Sequence, residues 1–503
     1  MTDKTKNFLI NCPIVLFVFL LCLIIGAKTT IIRTFGTVAT GAIAAAMQSP
    51  VAGTAPKTVY LLVAASFFYA LIPFVPLMII FFWKTKHDKA VRILTVFISI
   101  LLFVWSLYPC IKDVCLMVCN YDRPNELLRN YYVPPENVKL SFPEKKRNLI
   151  FIIAESMETT FFPKNYGGAL NDNIIPELYD LARDNVCFSV DGNCLGMKPT
   201  RDHWTSAAIV AQTSGIPFIV PPDKRGSSPK RKSLPGVTSM FDILHDNGYK
   251  QMFICGSDIR FANRDIYLKT HNVDFVYDLN TAREERFISV DYHDGWWGME
   301  DKKMFEYAKK KLTDISNSSS PFVCVILTVD THSPEGNYRE DCCKHQFNEN
   351  YLNVYACTSR QISAFMEWLK TRPFYANTTV VITGDHPTMC QGSVMRLVPK
   401  RYERHIYNCF INSPVKPKKE KNRNFTMYDL FPTVLSSLGC RIHGKRLAFG
   451  TDMFSDRPTL YEELGEELFW KKFGTEKPND IIPWNKFSAG NSRDYDRLFL
   501  RNR

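Results

Sequence analysis

Three polar strings in this 503-residue chain each follow an apolar run of strand length, and their residue types suit cation binding and proton transfer. Asn148–Ala154 leads into Glu155 and Ser156. Phe322–Thr328 leads into Asp330 and His332, and Thr379–Thr383 into Gly384, Asp385 and His386. A carboxylate next to an imidazole is a ligand pair suited to zinc or manganese. Glu155 is a third candidate ligand, because a carboxylate at the buried end of a strand is costly unless solvated, paired or bound to a cation. His332 can hold a phosphoryl oxygen or protonate a leaving group.

Two further strings lie between these. Thr205–Ala211 is small and apolar enough for a helix with Thr205 at its start. A helix N-terminus offers free N–H groups and the positive end of a dipole, which bind phosphate, and a hydroxyl activated there by a metal becomes a nucleophile. The string Arg260-Phe-Ala-Asn-Arg264-Asp265 carries two guanidinium forks suited to bidentate phosphate binding. Each string also has a plainer reading. Asp385 is satisfied in a turn, Glu155 sits on an exposed loop, Thr205 caps its helix, and Arg260 and Arg264 make surface ion pairs. The weight lies in their order: strand–Glu, Thr-helix, strand–Arg loop, strand–His, strand–Asp-His.

Such an order needs elements that converge. The apolar runs, with Gln251–Cys255 as a fourth, are continuous rather than alternating, which fits strands buried on both faces of a parallel sheet. Helical patterns at Val237–Asn247, Asp301–Leu312 and Tyr355–Lys370 lie between them. The expected fold is α/β, a mostly parallel sheet flanked by helices, and in open sheets of this kind ligands bind beyond the C-terminal strand ends. Glu155, Asp330 with His332, and Asp385 with His386 all fall there.

The first quarter is different. Runs at 7–27, 58–83 and 93–111 are each near the ~20 apolar residues that cross a bilayer core as a helix. The short loop with Lys84, Lys86, Lys89 and Arg92 belongs on the cytoplasmic side. The remainder is then expected on the extracytoplasmic side: periplasmic, lumenal or extracellular. The uncharged stretch 34–56 reads as an outer loop; as a fourth span it would put the two ends of the anchor on the same side. The expected organisation is an anchor at 1–119, a Pro-rich linker at 120–147 lying on the membrane surface, a catalytic domain at 148–455 and a C-terminal extension at 456–503. The net charge of +12 is scattered rather than gathered on one face, which argues against a nucleic-acid partner. Clusters at Lys224–Lys232 and Lys416–Arg423 suit anionic headgroups or solvated loops. Of 15 cysteines, ten lie from Cys187 onward. One bridge among Cys342, Cys343 and Cys357, and another between Cys187 and Cys194, are candidates in an oxidising compartment.

Together the strings Ala154-Glu155-Ser156, Trp204-Thr205 leading to Gly215-Ile-Pro217, Arg260–Asp265, Leu268–His271, Leu327–Pro334, Gly384–His386 and Asp429–Thr433 resemble the sulfatase-type branch of the alkaline-phosphatase superfamily. The resemblance runs from about Asn148 to Gly450. It is nearest to the phosphoglycerol transferase I type and more distant from lipoteichoic acid synthases and phosphoethanolamine transferases. It implies one divalent metal ion, Mn2+ or Zn2+, held by Glu155, Thr205, Asp385 and His386. It implies that Thr205 takes the phospho-group covalently, that His332 and Arg264 contact the phosphate or the leaving group, with Arg260 as a further substrate contact, and that Trp297 lies in a loop beside the site. The implied partners are a phospholipid donor and a glycan or glycolipid acceptor. Where this type has Gly-Thr ahead of its Trp-Thr pair, this chain has Arg201-Asp202, which leaves Thr200 as an alternative nucleophile. Cys255 stands where lipoteichoic acid synthases place His. Sulfate-ester hydrolysis would require Cys or Ser at position 205. A phosphodiesterase that transfers to water would share every site residue, and a catalytically inactive membrane receptor would hold no metal.

Overall fold

The computed structural model describes residues 3–35, 56–83, 88–120, 130–200, 204–218, 233–292, 296–390 and 392–473. Three long helices, Asp3–Phe35, Pro56–Phe81 and Asp88–Asn120, come first. Each is long and apolar enough to cross a membrane, with candidate spans at Asn11–Thr34, Val59–Phe81 and Lys89–Lys112. The first helix runs eight residues beyond the apolar stretch that ends at Ala27. Lys28 does not end it, because its ammonium is taken up by Ser106 of the third helix. Gly26 lets the first two helices touch, since a Cβ there would collide with the backbone of Ser66 and Ala70, the small-residue contact typical of helices packed in lipid. Large apolar side chains such as Tyr60, Phe68 and Trp105 face outward. The stretch 34–56, expected as an outer loop, lies almost wholly outside the described residues.

The second part is built on a six-stranded sheet. A two-residue strand, β1 (Leu140–Ser141), precedes it. The sheet comprises β2 (Asn148–Ala154), β3 (Lys250–Cys255), β4 (Phe275–Tyr277), β5 (Phe322–Leu327), β6 (Thr378–Gly384) and β7 (Asn408–Ile411), in the order β4-β3-β5-β2-β6-β7. All neighbours are parallel except β7, which runs antiparallel to β6. β4 and β7 are edge strands of three and four residues, too short for their apolar runs to stand out in the sequence. The long strands are buried on both faces. Leu149, Phe151 and Ile153 join one core, and Ile150 and Ile152 join the other. This is why they read as unbroken apolar runs.

The register positions the site. β2 is central, with Ile153 opposite Leu327 of β5 and Ala154 opposite Gly384 of β6. The three strands therefore end level, and Glu155, Thr328 and Asp385 leave the sheet side by side. Helices Asp301–Ile315 and Asn350–Lys370 pack on one face, and Thr205–Ser214 and Leu430–Ser437 on the other.

Chain on either side of 148–455 also packs on the domain. Tyr132 packs on Phe449 with ring centroids 5.4 Å apart, Val133 N–H donates to Ala448 O at 3.0 Å, and β1 pairs with Arg441–Ile442. Residues 130–147, in the stretch expected to link anchor and domain, thus lie against the domain. Beyond 455, helices Leu460–Leu464 and Glu466–Phe473 bury Leu460, Tyr461, Phe469 and Phe473 in the same core. The two expected bridges are not formed. Cys342 Sγ lies 3.7 Å from Cys357 Sγ and 3.9 Å from Cys343 Sγ, far from the ~2.05 Å of a disulfide, and Cys187 and Cys194 are free.

Candidate active site

The site forms where β2, β5 and β6 end. After Ala154 the chain turns through Glu155 into Ser156, whose φ of 52° is left-handed. Glu155 is buried, 2% exposed. Its N–H donates to Thr328 Oγ1 at 2.9 Å, and its carbonyl accepts from Thr331 Oγ1. The loop leaving β5 therefore grips the turn leaving β2. The carboxylate accepts from Ser156 Oγ at 2.8 Å on one oxygen and from Thr205 Oγ1 at 3.0 Å on the other.

Asp385 is held from the β2 side. Its Oδ1 accepts from Ser156 N–H at 2.7 Å and from His386 N–H at 2.8 Å. Its Oδ2 has no hydrogen-bond partner although fully buried. His386 Nδ1 lies 3.0 Å from Pro387 O. A carbonyl only accepts, so Nδ1 carries the proton and Nε2 presents its lone pair. That lone pair has no hydrogen-bond partner, yet it lies 3.3 Å from Asp385 Oδ2 and 3.6 Å from Glu155 Oε1. One ligand atom from each of Glu155, Asp385 and His386 lies within 4.8 Å of the others.

Lone pairs crowded together out of water repel unless a cation sits among them. The ionisation tendencies agree. Burial and the Glu155 charge push the Asp385 carboxyl well above the usual carboxylate range. Burial also pushes Glu155 up, but the two adjoining imidazoles, which as cations favour its ionised form, and the Ser156 and Thr205 hydrogen bonds outweigh it and leave Glu155 below its usual value. Two carboxylates and an imidazole nitrogen, with two buried ligand atoms unpartnered, fit a divalent ion of the zinc or manganese kind.

Thr205 is the first residue of helix Thr205–Ser214, with the extended Trp204 (φ −151°, ψ 148°) in the capping position and no side-chain cap. Its hydroxyl is therefore not spent on capping; it donates to Glu155. Gln212, two turns on, ties this helix to the end of β6. Its Nε2 donates to Gly384 O at 2.8 Å, and its Oε1 accepts from Thr383 Oγ1 at 2.9 Å. Gly384 also admits the turn after β2, because a Cβ there would strike the Met157 carbonyl. Thr200, the alternative nucleophile, is buried and its hydroxyl has no hydrogen-bond partner.

His332 lies beside this cluster. Its Nδ1 is 2.7 Å from Ser333 O, which leaves Nε2 free, and the Trp297 ring lies 4.4 Å away, centroid to centroid. Burial lowers its pKa, with the Glu155 charge opposing. Trp297 Nε1 is buried with no hydrogen-bond partner, a donor available to a bound molecule. Arg264 is buried. Its Nη2 donates to Ser257 Oγ and Asp258 O, each at 2.9 Å, and its Nε to Phe261 O at 3.1 Å. It is near enough for its charge to be felt at His332. Arg260 is committed elsewhere. Its fork holds Asp258 (Nε–Oδ1 3.0 Å, Nη2–Oδ2 2.6 Å), and more than half of its side chain is exposed. The fold thus gathers Glu155, Thr205, Asp385 and His386, sets His332 and Trp297 beside them with Arg264 behind, and leaves Arg260 in the ion pair that was its plainer reading.

Sequence reasoning passed over Gln212 and Asp301. Asp301 and Asp330 are interlocked under the His332 loop. Asp301 accepts from the N–H groups of Val329 (2.7 Å) and Asp330 (3.2 Å), and Asp330 accepts from that of Asp301 at 3.1 Å. The available signal was weak: Asp301 opens its helix inside the charged run Glu300–Lys303, and Asp330 follows a strand end.

The model of the family described as Sulfatase matches residues 147–440. Among curated proteins, phosphoglycerol transferase I of Escherichia coli (strain 55989 / EAEC) is 31% identical over 342 residues, which is 66% of this chain and 42% of that protein. Phosphoglycerol transferase I of Shigella boydii serotype 18 is 30% identical over the same length and shares. The chain therefore spans less than half the length of these relatives. Among solved structures, the lipoteichoic acid synthase LtaP of Listeria monocytogenes aligns at a TM-score of 0.49 and 19% identity, over 63% of this chain and 79% of that one. The lipooligosaccharide phosphoethanolamine transferase EptA of Neisseria meningitidis aligns at 0.46 and 14%, over 88% and 90%.

Proposed function

The chain belongs to the sulfatase family, and from that premise we propose that it is a membrane-anchored phosphotransferase. In this reading it moves a phosphoglycerol or phosphoethanolamine headgroup from a phospholipid to a glycan or glycolipid hydroxyl, on the extracytoplasmic side, through a phospho-Thr205 intermediate. The observation that carries it is the Thr205 hydroxyl, uncapped at the start of a helix and bonded to Glu155 within the buried Glu155–Asp385–His386 cluster. The similarity to phosphoglycerol transferase I supports the substrate class.

Glu155, Asp385, His386 and Thr205 would hold the ion, Mn2+ or Zn2+. When bound, it would neutralise charge on the phosphoryl oxygens and make the hydroxyl easier to ionise. The chain's own groups do the rest. Thr205 gives up its proton along its bond to Glu155, and its oxygen attacks phosphorus while the bond to the diacylglycerol oxygen breaks. The free N–H groups at the helix start face the phosphate, Trp297 Nε1 lines the approach, and Arg264 acts from behind through its charge, which reaches His332. The charge of the bound phosphodiester favours the imidazolium form of His332, whose Nε2 then gives its proton to the departing oxygen and recovers one from the acceptor hydroxyl when that oxygen displaces Thr205, which takes its own proton back from Glu155. A threonine does not mature to the formylglycine that sulfate-ester hydrolysis uses, and this favours phosphate over sulfate.

The test is incubation with phospholipids labelled in the headgroup, followed by mass spectrometry of the peptide containing Thr205. A phosphoglycerol or phosphoethanolamine adduct on Thr205 is expected. Label on Thr200, or none on either residue, would overturn the assignment.

A further inference from the structure

Away from the acid–imidazole cluster, the fold brings together three thiols that the proposed reaction does not use. Cys342 and Cys343 lie in the long connection from β5 to helix Asn350–Lys370, and Cys357 lies on that helix. One sulfur from each lies within 4.8 Å of the others. Cys342 Sγ is 3.7 Å from Cys357 Sγ and 3.9 Å from Cys343 Sγ. Two thiolates bound at ~2.3 Å to a tetrahedral ion sit about 3.8 Å apart, so these sulfurs stand at the separations of a metal's coordination edge. Cys343 and Cys357 are buried, and Cys342 is half-buried and gives a way in.

Two neighbouring side chains are left incomplete in ways that such an ion would complete. Gln361, one turn on from Cys357, places its Nε2 3.2 Å from Cys357 Sγ and 4.0 Å from Cys342 Sγ. Its Oε1 is buried with no hydrogen-bond partner. Amide oxygen and nitrogen exchange places by a simple flip, which turns that oxygen toward the sulfurs. Arg360 has a buried Nη2 without a partner, and its charge is felt at Cys357. Three thiolates and a divalent ion carry one net negative charge, which this guanidinium offsets.

We propose that Cys342, Cys343 and Cys357 form a second metal centre, specific for a soft, thiophilic divalent ion of the zinc type, with the Gln361 carboxamide oxygen at the fourth corner. Each thiol loses its proton as a sulfur–metal bond forms, so three protons are released per ion bound. Thiolate donors select zinc-like ions, whereas the carboxylate-rich cluster also accepts harder ones. The centre clamps the 328–349 connection, which carries Thr331 and His332, to the helix that follows.

Titration of the full-length, detergent-solubilised chain with Cd2+ under a non-thiol reductant tests this. Sulfur-to-cadmium charge transfer gives an ultraviolet band that oxygen and nitrogen ligands do not, so the Glu155–Asp385–His386 cluster is silent. The expected band saturates at one ion and is lost in Cys357→Ser. Peptide mapping of the wild-type chain supplies a readout independent of any variant's folding. With Zn2+ present, Cys342, Cys343 and Cys357 should be alkylated about tenfold more slowly. Gln361→Leu should weaken Zn2+ affinity roughly tenfold. The proposal is overturned by a missing band, by a band that persists in Cys357→Ser, by unchanged alkylation, or by a disulfide joining two of the three thiols in the isolated protein.

Discussion

At the scale of single residues, the site depends on where hydrogen bonds are and are not made. Asp385 Oδ1 takes two N–H groups while Oδ2 takes none, and His386 spends Nδ1 on a carbonyl and keeps Nε2 bare. A purely structural acid–imidazole pair would leave neither group unpaired, because an unsatisfied buried polar group costs about 1–3 kcal/mol. Thr205 fits the same logic, since its one donor goes to Glu155 rather than to its own helix. Thr205→Ser keeps a hydroxyl there, and Thr205→Ala removes it. Serine should retain headgroup transfer within roughly tenfold, while alanine should lower it by about 10³-fold or more, the scale on which loss of a nucleophile is felt. Both should melt within a few degrees of the wild type. The check is headgroup release from labelled phospholipid beside thermal unfolding. An alanine variant as active as serine would show that Thr205 is not the attacking group.

At the scale of elements, the strand ends were legible because chemistry-bearing residues follow unbroken apolar runs, and only strands buried on both faces read that way. Glu155, His332, Asp385 and His386 were singled out by that signal, and their order along the chain together with the family resemblance supplied the roles expected of them. The Thr205 helix was legible at its start but not at its end. Gln212, Thr213 and Ser214 look like a polar exit, yet Gln212 bonds β6 and the two hydroxyls bond Tyr267 OH at 2.7 and 2.8 Å, so the helix continues to Ser214. Partners more than fifty residues away cannot be read from a local pattern. Arg260 and Arg264 looked alike for a different reason: their partners are close in sequence, but the folding of the turn decides that one holds Asp258 in the open and the other lies buried beside Ser257. The Asp301–Asp330 lock was hidden too, and it carries a pH dependence. Burial pushes the Asp301 carboxyl up to about 7, with its backbone hydrogen bonds opposing, and burial together with the Asp301 charge pushes Asp330 well above the usual carboxylate range. A carboxyl whose pKa is raised by folding stabilises the fold fully below its ordinary value near 4. That contribution is lost as pH rises through about 7. Asp301→Asn cannot ionise, so its melting temperature relative to the wild type should rise by several degrees between pH 5 and pH 8. A pH-independent difference would mean that Asp301 does not titrate in this range.

At the scale of the whole molecule, the chain joins three helices able to cross a bilayer to a domain whose core is complete without them. The sheet, both its faces and the helices after residue 455 close around two apolar cores, and the chain from Tyr132 onward lies against that domain. Among the described residues the anchor shares neither of these cores; its own small cluster is Val18, Cys22, Ala70 and Leu77. Its contribution to the proposed reaction is then one of concentration. A donor lipid confined to the same bilayer meets the site at an effective concentration set by the tether, and losing a tether of this kind costs on the order of 10²–10⁴-fold without altering any contact in the site. A fragment beginning at Asn130 and keeping all that follows should fold, bind the same divalent ion, and turn over a water-dispersed short-chain phospholipid as fast as the full chain. On phospholipid vesicles its rate should fall by about a hundredfold or more at equal protein concentration, and raising vesicle concentration should recover part of the loss. Equal loss on both substrates would mean that the spans shape the site itself. Equal rates on vesicles would mean that the domain reaches its donor unaided, with exposed lysines such as Lys416, Lys418 and Lys419 sufficient to hold it at the headgroups.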